Sequence, residues 1–79
     1  MRRTEVVVRP GGRITASGDL TSQGADLLRG TADQLRGRGH SRVVVDLRDV
    51  LSTEDAGLDI LRELRREFAA DGGELIVRA

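Results

Sequence analysis

The chain has 79 residues and reads as a single domain over 1–79, short enough to bury only about 60% of its unfolded surface. Thirteen acidic residues balance thirteen basic ones, all arginine, and one phenylalanine is the only aromatic. This argues against a nucleic-acid binder, which would carry a basic excess and stacking platforms. The absence of cysteine excludes disulfides and thiolate metal sites, and the absence of lysine excludes lysine chemistry.

Glu5 to Arg9 reads as a first strand, rich in β-branched residues. Pro10-Gly11-Gly12 is a turn, and Arg13 to Ser17 a second strand that returns as a hairpin. Thr21 or Ser22 can cap a first helix running to about Arg36. Its apolar residues Ala25, Leu28, Ala32 and Leu35 recur at helical spacing. Gly37 and Gly39 end it. Arg42 to Leu47 reads as a third strand, followed by an acidic loop. A second helix is expected from about Glu54 to Ala70, with Gly57, Leu61, Leu64 and Phe68 as its buried stripe. Asp71-Gly72-Gly73 stops it, and Glu74 to Arg78 is the last strand.

The fold class is therefore α/β, in the order β-β-α-β-α-β, with a small mixed sheet. Strands separated by helices predict parallel pairing of the last three strands. Right-handed crossovers put both helices mainly on one sheet face. That face carries Val6, Val8, Ile14, Ala16, Val43, Val45, Leu47, Leu75 and Val77. The other carries Val7, Val44 and Ile76, either as a thin half-exposed stripe or as a surface needing a partner. The last strand is an open edge that could pair with a copy of itself.

No nucleophile, base and oxyanion donor assemble, so no enzyme and no catalytic residue is expected. His40 sits in a Gly/Ser turn as a solvated residue. No cofactor, metal or nucleic acid is implied, and no direct membrane insertion, because Val6 to Val8 is too short for a signal peptide or a span. A cytoplasmic location is expected. Asp59–Arg62 and Glu63–Arg66 read as solvated ion pairs on the second helix.

Several short elements resemble the STAS domain, the fold of anti-sigma factor antagonists. Gly18-Asp19-Leu20 follows the second strand, where that family has Gly-x-Leu-Asp. Val43-Val44-Val45-Asp46-Leu47 matches its third strand. Glu54-Asp55-Ala56-Gly57-Leu58 stands where the family has Asp-Ser-Ser/Ala-Gly-Leu, and Gly72-Gly73-Glu74-Leu75 fits the turn into the next strand. The resemblance implies a non-catalytic regulator of transcription that binds a kinase-type anti-sigma ATPase. It also implies a switch by phosphorylation of the motif serine, whose added charge at a helix start breaks the complex.

This sequence departs from that pattern. Asp55 occupies the phosphorylated position, Glu54 replaces the preceding Asp, and Thr21 replaces the Asp of the earlier element. Asp55 reads either as a fixed substitute for phosphoserine or as a helix-start residue, with Ser52 as N-cap in a capping-box arrangement. Ser52 and Thr53, the nearest other hydroxyls, read either as helix caps or as alternative phosphorylation sites. The family's usual further helix, strand and helix have no counterpart before Ala79, which reads either as a truncated domain or as one completed by another chain. The partner-binding surface implied by the resemblance is Asp19, Leu20, Thr21 and Ser22 together with Ser52, Thr53, Glu54, Asp55, Ala56, Gly57, Leu58 and Asp59. Two other roles stay open: an accessory subunit bound to the ATPase of an ABC-type membrane transport complex, and a self-assembling homo-oligomer.

Overall fold

The computed structural model describes residues 3–79. The chain runs β1 (Thr4–Arg9), β2 (Arg13–Leu20), α1 (Ser22–Gly37), β3 (Arg42–Thr53), α2 (Asp55–Ala70) and β4 (Glu74–Arg78). The sheet order is β1-β2-β3-β4. β1 pairs antiparallel with β2, while β2–β3 and β3–β4 are parallel. This is the expected α/β order, and each parallel pair is closed by one helix.

Both helices lie on one face of the sheet. The stripes Ala25, Leu28, Ala32, Leu35 and Leu61, Leu64, Phe68 are buried against Ile14, Ala16, Val43, Val45 and Leu75. Phe68 is fully buried, with the Arg36 guanidinium 4.7 Å from its ring centroid. Arg36 also pairs with Asp33 and Asp71, and Arg29 with Glu67, which ties α1 to α2 along their shared flank. On α2 Asp59–Arg62 forms as expected, whereas Glu63 and Arg66 do not pair.

Val8 departs from expectation. It shares the helix-covered face with Ile14 by register, yet is 52% exposed on the edge strand, whereas Ile14 is fully buried. On the other face Val44 and Ile76 are half-buried and Val7 is exposed. His40 is half-buried rather than solvated; a Cβ on Gly12 would lie 3.0 Å from its Nδ1.

The largest departure is the length of β3. The acidic stretch after Leu47 is not a loop but six further strand residues, reaching Thr53 and pairing with a β2 that itself runs on to Leu20. The register slips twice, between Thr15 and Ser17 and between Gly18 and Asp19, and each time β3 carries one extra residue. These are β-bulges, which bend a strand and re-aim its side chains. Gly18, opposite the second, has φ +80°, a conformation open to glycine at little cost.

Asp46 holds the first bulge. Its carboxylate accepts a hydrogen bond from the Arg48 backbone N–H at 3.0 Å and from the Arg48 guanidinium at 2.7–3.1 Å, with Arg13 3.7 Å away. The Arg48 side chain, then its backbone N–H, lower the Asp46 pKa from 3.8 to about 2. A carboxyl more acidic when folded than when unfolded stabilises the fold fully above its unfolded pKa. That contribution is lost as pH falls toward the folded value. Urea midpoints should therefore drop between about pH 4 and pH 2 more steeply in the native chain than in Asp46→Asn. Parallel curves for the two would show that Asp46 contributes nothing to the acid limb.

Candidate interaction site at the paired helix starts

β2 and β3 run side by side and end level, with Asp19 opposite Ser52 and Leu20 opposite Thr53. Each strand turns at once into a helix, so the starts of α1 and α2 emerge together at one end of the sheet. The first backbone N–H groups of a helix lack partners within it, and here the two starts share their supply of acceptors.

Thr21 is the N-cap of α1, and its Oγ1 accepts from the Gly24 N–H at 3.0 Å. Thr4, at the beginning of β1, braces the same turn: its hydroxyl donates to the Asp19 carbonyl and lies 3.4 Å from the Thr21 N–H. Glu54 is the N-cap of α2 by position, yet its side chain does not cap α2. Its Oε1 instead accepts the Ser22 N–H of α1 at 3.0 Å. Its own N–H donates to the Leu20 carbonyl at 2.9 Å, carrying the ladder to the edge of both helices. Each strand–helix junction thus supplies an acceptor to the other.

Ser52 corrects the capping-box expectation. It lies in β3, outside α2, and its hydroxyl donates to Asp19 Oδ1 at 2.8 Å. The Ser52-to-Asp55 spacing mimics a capping box, but the strand continues through it. Leu20 and Gly57 are interior: Leu20 is fully buried, and a Cβ on Gly57 would lie 3.1 Å from the Thr21 carbonyl and 3.3 Å from that of Leu20. These two residues set how close the helix starts lie and present no surface themselves. Leu58 is half-buried against the core.

Ser52, Thr53, Glu54, Asp55, Ala56 and Asp59 are exposed, with Asp19, Thr21 and Ser22 half-exposed beside them. Asp59 is neutralised by Arg62 at 2.9 Å. Asp55 is the first residue of α2, where the helix dipole favours a negative charge. The surface is therefore acidic, dotted with hydroxyls, and backed by the cross-bonded double junction. The acids do not converge: among the described residues no three metal-ligating groups gather, and Asp46 is turned to Arg48 and Arg13. His40 lies before β3, at the opposite end of the sheet. Two participants had no sequence signal, Thr4 and the Glu54–Ser22 contact, because each joins residues far apart in the chain.

A family model described as Mlab, STAS domain matches residues 7–79. The chain belongs to the STAS domain family. Among solved structures, the anti-sigma factor antagonist SpoIIAA in its unphosphorylated form superposes with a TM-score of 0.69 at 13% identity, over 95% of this chain and 71% of that one. The crystal structure of Mglu matches with a TM-score of 0.72 at 27% identity, over 95% of this chain. Mglu in its native form matches at 0.63 and 23% identity, over 92%. This chain spans only 19% and 22% of those two Mglu chains. No curated protein matches it. Among the described residues no helix is long and apolar enough to cross a membrane.

Proposed function

We propose that this STAS domain is a non-catalytic interaction module of the anti-sigma factor antagonist kind, working in the cytoplasm. Its contact surface for a kinase-type ATPase is the pair of helix starts, from Asp19 to Ser22 and from Ser52 to Asp59. The observation that carries the reading is Asp55. It is an exposed carboxylate on the first residue of α2, where the family resemblance sets a serine that is switched by phosphate. A carboxylate cannot form the serine phosphoester, so the surface keeps one negative charge permanently. This is about half the charge of a phosphoserine, and it fixes the module in one signalling state. The fold likeness to SpoIIAA is consistent with this reading.

The same observation favours a second reading. An accessory subunit of an ABC-type transport complex would bind its ATPase without a phosphorylation cycle and would need no hydroxyl at this position.

Affinity co-purification of the tagged chain from its host, read by mass spectrometry, separates the two. A kinase-type ATPase is expected with the native chain, and Asp55→Arg should change its recovery by about tenfold or more, since reversing a charge at a contact shifts binding by about 1.4 kcal/mol or more. Arg38→Glu, remote from the helix starts, should leave recovery unchanged. With the recovered kinase and ATP, Asp55→Ser should take up phosphate. A transporter ATPase in place of the kinase selects the second reading. Equal recovery of any partner by the native chain and Asp55→Arg overturns the assignment of the surface.

A further inference from the structure

Three of the four exposed large hydrophobic side chains among the described residues gather on one flank of the molecule: Val7 is 46% exposed, Val8 52% and Leu27 53%, while the fourth, Leu51 at 65%, lies on β3. Val7 and Val8 belong to β1, the edge strand. Leu27 lies one helical turn beyond Gly24, which rests directly against Thr4 of β1. It therefore lies on the β1 side of α1, away from the flank where Arg29 and Arg36 reach α2.

The backbone of β1 is aimed the same way. Val44 donates to the Gly12 carbonyl at 3.0 Å, so Gly12 and Ile14 turn their polar groups toward β3, and Arg13, Thr15 and Ser17 toward β1. Their partners Arg9, Val7 and Glu5 face back into the sheet. Val6 and Val8 are left with N–H and C=O pointing outward, a template for another strand.

The charges select that strand. Glu5 and Arg9 flank Val7 on the open face, and neither has an ion-pair partner among the described residues. Antiparallel pairing of β1 with itself, centred on Val7, sets Glu5 opposite the partner's Arg9. It sets Val6 opposite the partner's Val8, which closes the outward ladder bonds. Slipping by one bonding register keeps backbone bonds but breaks both charge pairs. We propose that a second copy of this chain closes the β1 edge, antiparallel, about a two-fold axis at Val7. Both helix layers then lie on the same side of one continuous sheet, and the two α1 flanks bring Leu27 to the seam. This dimer is independent of the helix-start surface.

The far edge, β4, carries a similar pair of end charges in Glu74 and Arg78, but its Ile76 and Val77 are already half-buried. It would permit head-to-tail growth through β1 and β4, and the test separates the two arrangements. The seam is small, so the dimer should be weak and reversible. Sedimentation velocity of the full chain from about 5 to about 500 µM should show a shift from monomer to dimer and nothing larger. Glu5→Arg alone and Arg9→Glu alone should each stay monomeric, folded by circular dichroism, because like charges then face each other across the seam. The double swap should restore the dimer. A native chain that stays monomeric throughout overturns the proposal, as do single variants that still dimerise. Assembly beyond a dimer, or a double swap that fails to recover it, also overturns it, because head-to-tail pairing with β4 would leave the swapped charges repelled.

Discussion

Phe68→Ala is expected to remove about a third or more of the stability of this domain. Phe68 is fully buried and is the chain's only aromatic, so no neighbouring ring can fill the space it leaves. Truncating a buried Phe to Ala costs about 3–5 kcal/mol, and a domain of this length holds only about 4–12 kcal/mol in total. The Arg36 guanidinium loses the face it rests on as well, though Asp33 and Asp71 still hold it. Urea unfolding followed by far-ultraviolet circular dichroism should show the midpoint fall by about a third or more, or the cooperative transition vanish. Phe68→Leu, which keeps most of the volume, should cost markedly less. Equal effects from the two would mean that cavity formation is not the cause.

The second large effect is expected at Gly24. It is the third residue of α1, and a Cβ built there would overlap the Oγ1, Cβ and Cγ2 of Thr4. In an isolated helix Gly→Ala is stabilising by about 1 kcal/mol. Here the sign reverses, because overpacking costs about 1–3 kcal/mol and Thr4 cannot retreat without leaving the Asp19 carbonyl and the Thr21 N–H. Gly24→Ala should therefore lower the urea midpoint. In Thr4→Gly/Gly24→Ala the clash is gone, so the double variant should be less destabilised than the sum of the two singles, a coupling that a double-mutant cycle measures. Simple additivity would show that the two residues do not meet.

The elements differ in how far the sequence exposed them. The helix stripes were legible because 3.6-residue spacing survives any tertiary context: every residue of Ala25, Leu28, Ala32, Leu35 and of Gly57, Leu61, Leu64, Phe68 is buried. Thr21 was legible as a cap because it stands just before the periodic run. β4 was bounded correctly by Gly72-Gly73 before it. The second half of β3 was not legible. Alternation identifies a strand only while its period of two holds, and two bulges break it within Asp46 to Ser52. Arg48-Asp49 then looks like a loop, and Ser52 with Asp55 looks like a helix start. The site was legible as a region, since parallel neighbouring strands bring their following helices together. Its wiring was not, because Glu54 caps the other helix and Thr4 reaches in from another strand.

β3 has a further consequence, for how the molecule assembles. Among the described residues it is the only strand with parallel neighbours on both sides. Parallel strands cannot be joined by a tight turn, so neither of its ladders can start until a 16-residue helix has closed the loop between them. The β1–β2 hairpin is local and can form within microseconds. The central ladders wait on loop closure, which slows folding as contacts become more distant in sequence. The two helix starts are level only once the β2–β3 ladder has run its whole length. A partner that grips them therefore senses completion of folding: a nascent or half-unfolded chain, even one with both helices formed, has no such surface to offer.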